Sequence, residues 1–156
     1  MDSIAYKSDL NTDEKLLMAV VRAAEHFKRV HSGVFRNFGL SFPQYNVLRV
    51  LDASKNGQNK ISDVSRIMLV PGANITGIAK RLEKDGFINK KSIPEDDRVT
   101  LLEITAKGKK TLQKIESEKN RRLELMLGNL SQKEKAGLLD LVKRILKNGM
   151  LPRKSP

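Results

Sequence analysis

Apolar residues recur along this chain with a helical period almost throughout, and the exceptions are as informative as the rule. Leu16, Leu17, Val20, Val21, Ala24, Phe27, Val30 and Val34 follow i, i+3, i+4 spacing. They predict a first helix opened by the capping box Asn11-x-x-Glu14 and fading near Asn37 to Gly39. A second box, Ser41-x-x-Gln44 with Pro43 in the first turn, predicts a helix carrying Tyr45, Val47, Leu48, Val50 and Leu51. Lys55 to Lys60 is rich in Asn, Gly and Gln and reads as a loop. Ile61-Ser62 opens a short third helix with Val64, Ile67 and Met68. Val70-Pro71-Gly72 breaks it, and a fourth runs from about Ala73 to Asp85. Two helices joined by so tight a turn are a helix-turn-helix candidate. The pattern then changes: Phe87 to Ser92 and Val99 to Ile104 read as strands, with a hairpin tip over Ile93 to Arg98 marked by Pro94, Glu95, Asp96 and Asp97. Thr105 caps a fifth helix to about Leu127, ended by Gly128-Asn129. Ser131-x-x-Glu134 opens a last helix with Leu138, Leu141, Val142 and Ile145 on one face, and Leu151 to Pro156 is expected to fray.

Helix, strand, charged hairpin, strand, helix is the order of a winged helix-turn-helix. The predicted fold is therefore mainly α with a small β-hairpin wing. It is one domain over 1–156, with a DNA-binding region at 41–105 and flanking helices at 12–38 and 106–147. The flanking helices hold more aliphatic surface than the small core can cover: Leu112, Ile115, Leu123, Met126 and Leu130, with Leu138 to Leu146 and Leu16 to Val21. They either pack on one another or cover a second copy, and a two-fold axis suits a palindrome reader.

Charge sharpens this picture. The 156 residues carry 30 Lys/Arg against 18 Asp/Glu, a net +12, which favours nucleic acid or an anionic membrane as partner. Aromatic content of 4% and the lack of tryptophan weaken recognition by base stacking on single strands. No apolar run is long enough to span a bilayer, and Met1 to Leu10 lacks the apolar region of a signal peptide, so a cytoplasmic protein is expected. With no cysteine, disulfides and thiolate zinc sites are excluded.

Candidate chemistry concentrates in two places. On the fourth helix Ile75, Ile78, Ala79 and Leu82 form the apolar face, which turns Ala73, Gly77, Lys80 and Lys84 outward, flanked by Asn74, Thr76 and Arg81. Short groups at the amino end permit close approach to a major groove. Asn74 suits adenine and the Thr76 methyl suits thymine, whereas Lys80, Arg81 and Lys84 suit phosphates. Taken alone, this is equally a solvated helix face. At the hairpin, a lone Arg98 suits the narrow minor groove, and Asp96 two residues earlier could hold its side chain extended by a charge-assisted hydrogen bond. The plain alternative is a polar loop with a solvated ion pair.

Three segments resemble the MarR family, the multiple antibiotic resistance regulators, and the resemblance spans about 12 to 147. Gly39-Leu40-Ser41-Phe42-Pro43-Gln44-Tyr45-Asn46-Val47-Leu48 is similar to the family's opening of helix two. Arg81-Leu82-Glu83-Lys84-Asp85-Gly86-Phe87-Ile88 is similar to its recognition-helix exit, and Asp96-x-Arg98 with Ile104-Thr105 and Gly108 to its wing. The resemblance implies a homodimer that binds a pseudo-palindromic operator in double-stranded DNA and usually represses transcription. It implies that Arg98 enters the minor groove, oriented by Asp96, and that Ala73, Asn74, Thr76 and Gly77 stand at base-reading positions. The family often has arginine where Gly77 stands, and the acidic wing is a further departure. It also implies a small aromatic or anionic effector, for which Phe27, His31, Phe35 and Tyr45 are the candidate lining. Those aromatics read equally as core. His26 and His31, five apart on a helix, point away from each other and do not form a metal pair. No cofactor and no enzyme constellation is expected. The competing function is an architectural nucleoid protein with little sequence preference.

Overall fold

The computed structural model of the chain describes residues 9–94 and 96–149. Two sequence expectations, the fraying of 151–156 and the place of Glu95 in the wing, lie outside the described residues. The chain divides into two compact units, residues 1–119 and 120–156.

The first unit holds the helix-turn-helix and its wing. Helix α1 (Thr12–Arg36) begins at Asn11, whose side chain accepts from the Glu14 N–H while Glu14 returns the bond to the Asn11 N–H. Helix α2 (Phe42–Asp52) opens with the same reciprocal box between Ser41 and Gln44, at 3.3 and 2.8 Å. Each box satisfies helix N–H groups that would otherwise lack partners. Helices α3 (Ile61–Met68) and α4 (Gly72–Lys84) follow, the latter one residue earlier than the sequence suggests. Their turn is held at Leu69, a left-handed residue at φ 55°, and by the Ser65 hydroxyl donating to the Val70 carbonyl at 2.5 Å.

The stretch expected to be a loop at Lys55 to Lys60 is instead a single 3-10 turn (Lys55–Gly57) and a strand, β1 (Gln58–Lys60). Strands β2 (Ile88–Ile93) and β3 (Asp96–Ile104) complete an antiparallel sheet in the order β1-β3-β2. Gln58 lies opposite Glu103, and Ile88 opposite Ile104. β1 had no apolar alternation to betray it, because its role is to cover the outer edge of β3 and not to fill the core. Gln58 Nε2 donates to Glu103 at 2.6 Å, and Lys91 pairs with the same carboxylate from the other side at 2.6 Å.

Helix α5 (Ala106–Leu127) starts inside this unit. The core is formed by Val34, Phe35, Leu40, Leu48, Leu51, Val64, Ile75, Leu82, Ile88, Leu102 and Ile115, all nearly or fully buried. Leu112 and Ile115 belong to that core, so they are not part of the surplus aliphatic surface to which the sequence assigns them.

The second unit holds the end of α5 and helix α6 (Gln132–Gly149), opened by the box Ser131–Glu134. Large apolar side chains stay open to solvent on α6 (Leu138, Leu139, Leu141, Ile145 and Leu146, 46–55% exposed) and on the first half of α1 (Leu16, Leu17 and Met18, 50–62%).

Candidate nucleic-acid interface

Helix α4 is amphipathic as its sequence demands. Ile75, Ala79 and Leu82 are fully buried, and this fixes which residues face outward. Ala73, Asn74, Thr76, Gly77, Lys80, Arg81 and Lys84 are all exposed. The Thr76 hydroxyl donates to the Gly72 carbonyl at 3.1 Å, so its hydrogen is engaged and its methyl remains to offer. A Cβ built on Gly77 meets nothing within 4 Å, so packing does not require glycine there. Lys80, Arg81 and Lys84 have no carboxylate partner among the described residues.

The wing differs from the hairpin that the sequence suggests. Its strands run to Ile93 and from Asp96, so the connection is shorter than the expected tip at Ile93 to Arg98. Ser92 pairs with Thr100, yet the next residue, Ile93, pairs with Asp96. Residues 97–99 therefore have no counterpart on β2 and form an excursion of β3 with Arg98 at its centre. A bulge of this kind re-aims a side chain away from the regular alternation. One Asp96 carboxylate oxygen accepts from the Arg98 backbone N–H at 3.0 Å. The expected bond to the guanidinium is thus replaced by one to the main chain. Asp96 shapes the backbone that carries Arg98, because a side-chain acceptor two residues back closes a turn that the ladder has left open.

A joint that sequence reasoning does not find ties the wing to α4 and α5. The Thr105 hydroxyl shares its hydrogen between the Gly86 and Phe87 carbonyls, at 2.8 and 3.0 Å, and accepts from the Gly108 N–H at 3.1 Å. A Cβ on Gly108 would lie 2.6 Å from the Phe87 carbonyl oxygen and 2.7 Å from Ile104 Cγ1, so only glycine fits. Lys107 donates to the Asp85 carbonyl at the carboxyl end of α4 (2.6 Å), and its ammonium stands 4.6 Å from the centre of the Phe87 ring. A cation there complements the helix dipole. The only sequence signal is Thr105 followed three residues later by a glycine.

The four candidate effector residues come together as a run of ring contacts, of which Phe35–Tyr45 is stacked and Phe27–His31 and His31–Phe35 are tilted. Phe35 and Tyr45 lie 3.9 Å apart and nearly parallel, and Phe27 and His31 lie 4.1 Å apart. Burial pushes the Tyr45 phenol above its ordinary pKa, opposed by the charge of Arg49. His31 is fully buried. Its Nδ1 lies 2.9 Å from the Phe27 carbonyl, which can only accept, so Nδ1 carries the hydrogen. Nε2 is then a buried acceptor without a partner. His26, by contrast, is exposed and contacts Arg29 at 3.1 Å.

Comparison with known proteins points the same way. The family model of the transcriptional regulators SarA/Rot matches residues 29–115. Two regulators of Bacillus subtilis (strain 168), described as uncharacterized HTH-type transcriptional regulators, are each 32% identical. YdgJ aligns over 56% of this chain and 53% of its own length, and YfiV over 70% and 69%. The chain thus spans about half the length of the first and two thirds of the second. Among solved structures, Sco3205, a MarR family transcriptional regulator from Streptomyces coelicolor in complex with DNA, superposes with a TM-score of 0.81 at 18% identity. That match covers 96% of this chain and 95% of the other.

Proposed function

This chain belongs to the SarA/Rot family of transcriptional regulators and has the MarR winged-helix fold; from that premise we propose that it acts as a homodimeric repressor of a pseudo-palindromic operator. The observation that carries the reading is the β3 excursion. Three unpaired residues, closed by the Asp96–Arg98 bond, lift one arginine out of the sheet of the wing, and α4 presents an exposed row of small, polar and basic groups. On this reading Ala73, Asn74, Thr76 and Gly77 approach base edges, Lys80, Arg81 and Lys84 meet phosphates, and Arg98 enters the minor groove. The exposed leucines of α6, and separately those of α1, support a second copy as partner, since runs of large apolar side chains left open to solvent mark interaction surfaces. Duplexes recovered from the source genome by binding selection test the proposal. Their affinity is compared with that of unrelated duplexes at one salt concentration. A preference of about 10³ or more is expected, with a dimer by sedimentation at micromolar protein. A preference below tenfold favours the architectural alternative instead.

A second reading concerns relief by a small aromatic or anionic effector. The unpartnered His31 Nε2 is the one buried side-chain acceptor without a partner among the described residues, and it lies within the ring cluster. An effector carrying a hydrogen-bond donor would enter by displacing the Phe27–His31 pair. A thermal-shift screen of hydroxylated aromatic acids should find ligands that stabilise the wild type and fail to stabilise His31→Leu. Equal shifts in both proteins reject the site.

A further inference from the structure

Positive charge is spread unevenly over this chain. Residues 41–105, which contain the helix-turn-helix and wing, carry ten Lys/Arg against eight Asp/Glu, a net +2. Residues 106–149 carry twelve against five, a net +7. Most of the +12 therefore lies outside the segment proposed to read an operator. Half of these bases are not absorbed by a neighbouring carboxylate. Lys110, Lys114, Lys133, Lys143, Arg144 and Lys147 are exposed and have no carboxylate partner among the described residues.

The arrangement on α6 narrows the choice of partner. At about 100° per residue, Leu138, Val142 and Ile145 fall on one side, with Leu139 and Leu146 at one edge of the apolar arc and Leu141 at the other. Lys133, Arg144 and Lys147 fall on the opposite side with Lys143 beside them, and Asp140 is the one acidic residue among them. A helix that lies in a membrane surface buries its apolar face and keeps its bases at the flanks, where their stems reach the headgroups. Here Lys133 and Lys147 point the other way, beside Asp140, and only Lys143 and Arg144 stand near the edges of the apolar arc. If a second copy covers the apolar face, the basic face remains open. A convex row of lysine and arginine with no pocket suits a regular polyanion, held by charge and not by shape.

We propose that the α6 face formed by Lys133, Lys143, Arg144 and Lys147 holds a second segment of duplex DNA through its phosphates, without reading sequence. The proposal rests on the reading of this chain as a duplex-binding regulator, and it adds contact with DNA beyond the operator. A dimer seated on an operator through its wings thereby tethers a second duplex or the flanks of the same one.

The test uses the full chain bound to a surface-tethered operator duplex, with a labelled duplex lacking the operator supplied in solution. Wild type should retain the second duplex. Lys143→Glu/Arg144→Glu/Lys147→Glu should retain at least tenfold less, while operator affinity stays within about twofold, because none of the three residues belongs to the segment proposed to read it. The slope of log affinity against log salt for the second duplex should fall by about 0.9 for each phosphate that the variant no longer neutralises. The matching Gln variant separates charge from folding: it should lose retention with an unchanged circular dichroism spectrum. Retention that survives both variants overturns the proposal. So does a wild type that retains no second duplex but binds phosphatidylglycerol vesicles through the same residues. If the wild type shows no operator preference and yet loses duplex binding on reversal of the α6 charges, the operator reading fails and this one stands.

Discussion

Replacing Asp96 separates a backbone role from a charge role, because the two predict opposite signs. Asp96→Ala removes a negative charge from the vicinity of DNA. At about 10 Å in water that repulsion is worth roughly 0.4 kcal/mol before screening, so charge alone predicts slightly tighter binding. The same change removes the acceptor of the Arg98 N–H at 3.0 Å. A hydrogen bond of this kind contributes about 0.5–1.5 kcal/mol, and its loss frees residues 97–99, which have no ladder partners on β2 to restrain them. The loss of order therefore outweighs the relief of repulsion, and Asp96→Ala should weaken operator binding by about 1 kcal/mol, roughly fivefold. Asp96→Asn keeps a side-chain oxygen in the same place and drops the charge, so it should bind as tightly as wild type or slightly more so. Arg98→Ala should cost about 1–3 kcal/mol, with folding stability within about 0.5 kcal/mol of wild type. Titrations by fluorescence anisotropy on one operator duplex at fixed salt read all three. If Asp96→Asn is as weak as Asp96→Ala, the carboxylate acts through its charge and the backbone account is wrong. Tighter binding by Asp96→Ala would remove the orienting role altogether.

Three further outcomes follow from the same geometry. Gly77→Ala should raise stability by about 1 kcal/mol, because glycine is a poor helix former and the new methyl meets nothing within 4 Å; a urea midpoint that does not rise refutes this. Gly108→Ala should cost about 1–3 kcal/mol through contacts at 2.6 and 2.7 Å that the joint cannot relax, and an unchanged thermal midpoint would show that the joint yields. Hydrogen bonds from Lys91 and Gln58 hold the Glu103 carboxyl below its ordinary pKa. The folded state thus binds its proton less readily than the unfolded chain. This contribution is full above the ordinary carboxylate range and lost as pH falls through the depressed value, so Glu103→Gln should flatten the acid limb of the stability profile measured by denaturant titration.

Much of this fold is written locally. Asn11, Ser41 and Ser131 with their partners three residues on mark three helix starts, because a capping box is a short-range chemical signal. The outward face of α4 follows from the spacing of Ile75, Ala79 and Leu82. What the sequence hides is set by distant partners. Gln58–Lys60 is a strand only because β3 has a free edge beside it. The excursion at 97–99 depends on a register shift between Ser92 and Ile93, which no composition signals. Asp96 illustrates the limit well: its importance to Arg98 is legible, while the atom it holds is not. Leu112 and Ile115 look like surplus apolar surface on their own helix and are core in the folded unit, in one cluster with buried residues of α2 and the sheet.

The Thr105 joint has a mechanical consequence. The carboxyl end of α4 is bonded to the start of α5 through Thr105 and Lys107, with no room at Gly108 for play. The thirteen residues of α4 then form a lever about 20 Å long with its fulcrum at Asp85. A tilt of about 10° at that fulcrum swings Asn74 and Thr76, roughly 16 and 14 Å away, by about 2.4–2.9 Å, most of the roughly 3.4 Å base step along a strand of a duplex. On the reading proposed above, a small rotation of α5 would be magnified into a displacement of the residues that approach the bases. If α4 reads an operator, an input at α5 would need only a small movement to loosen its grip.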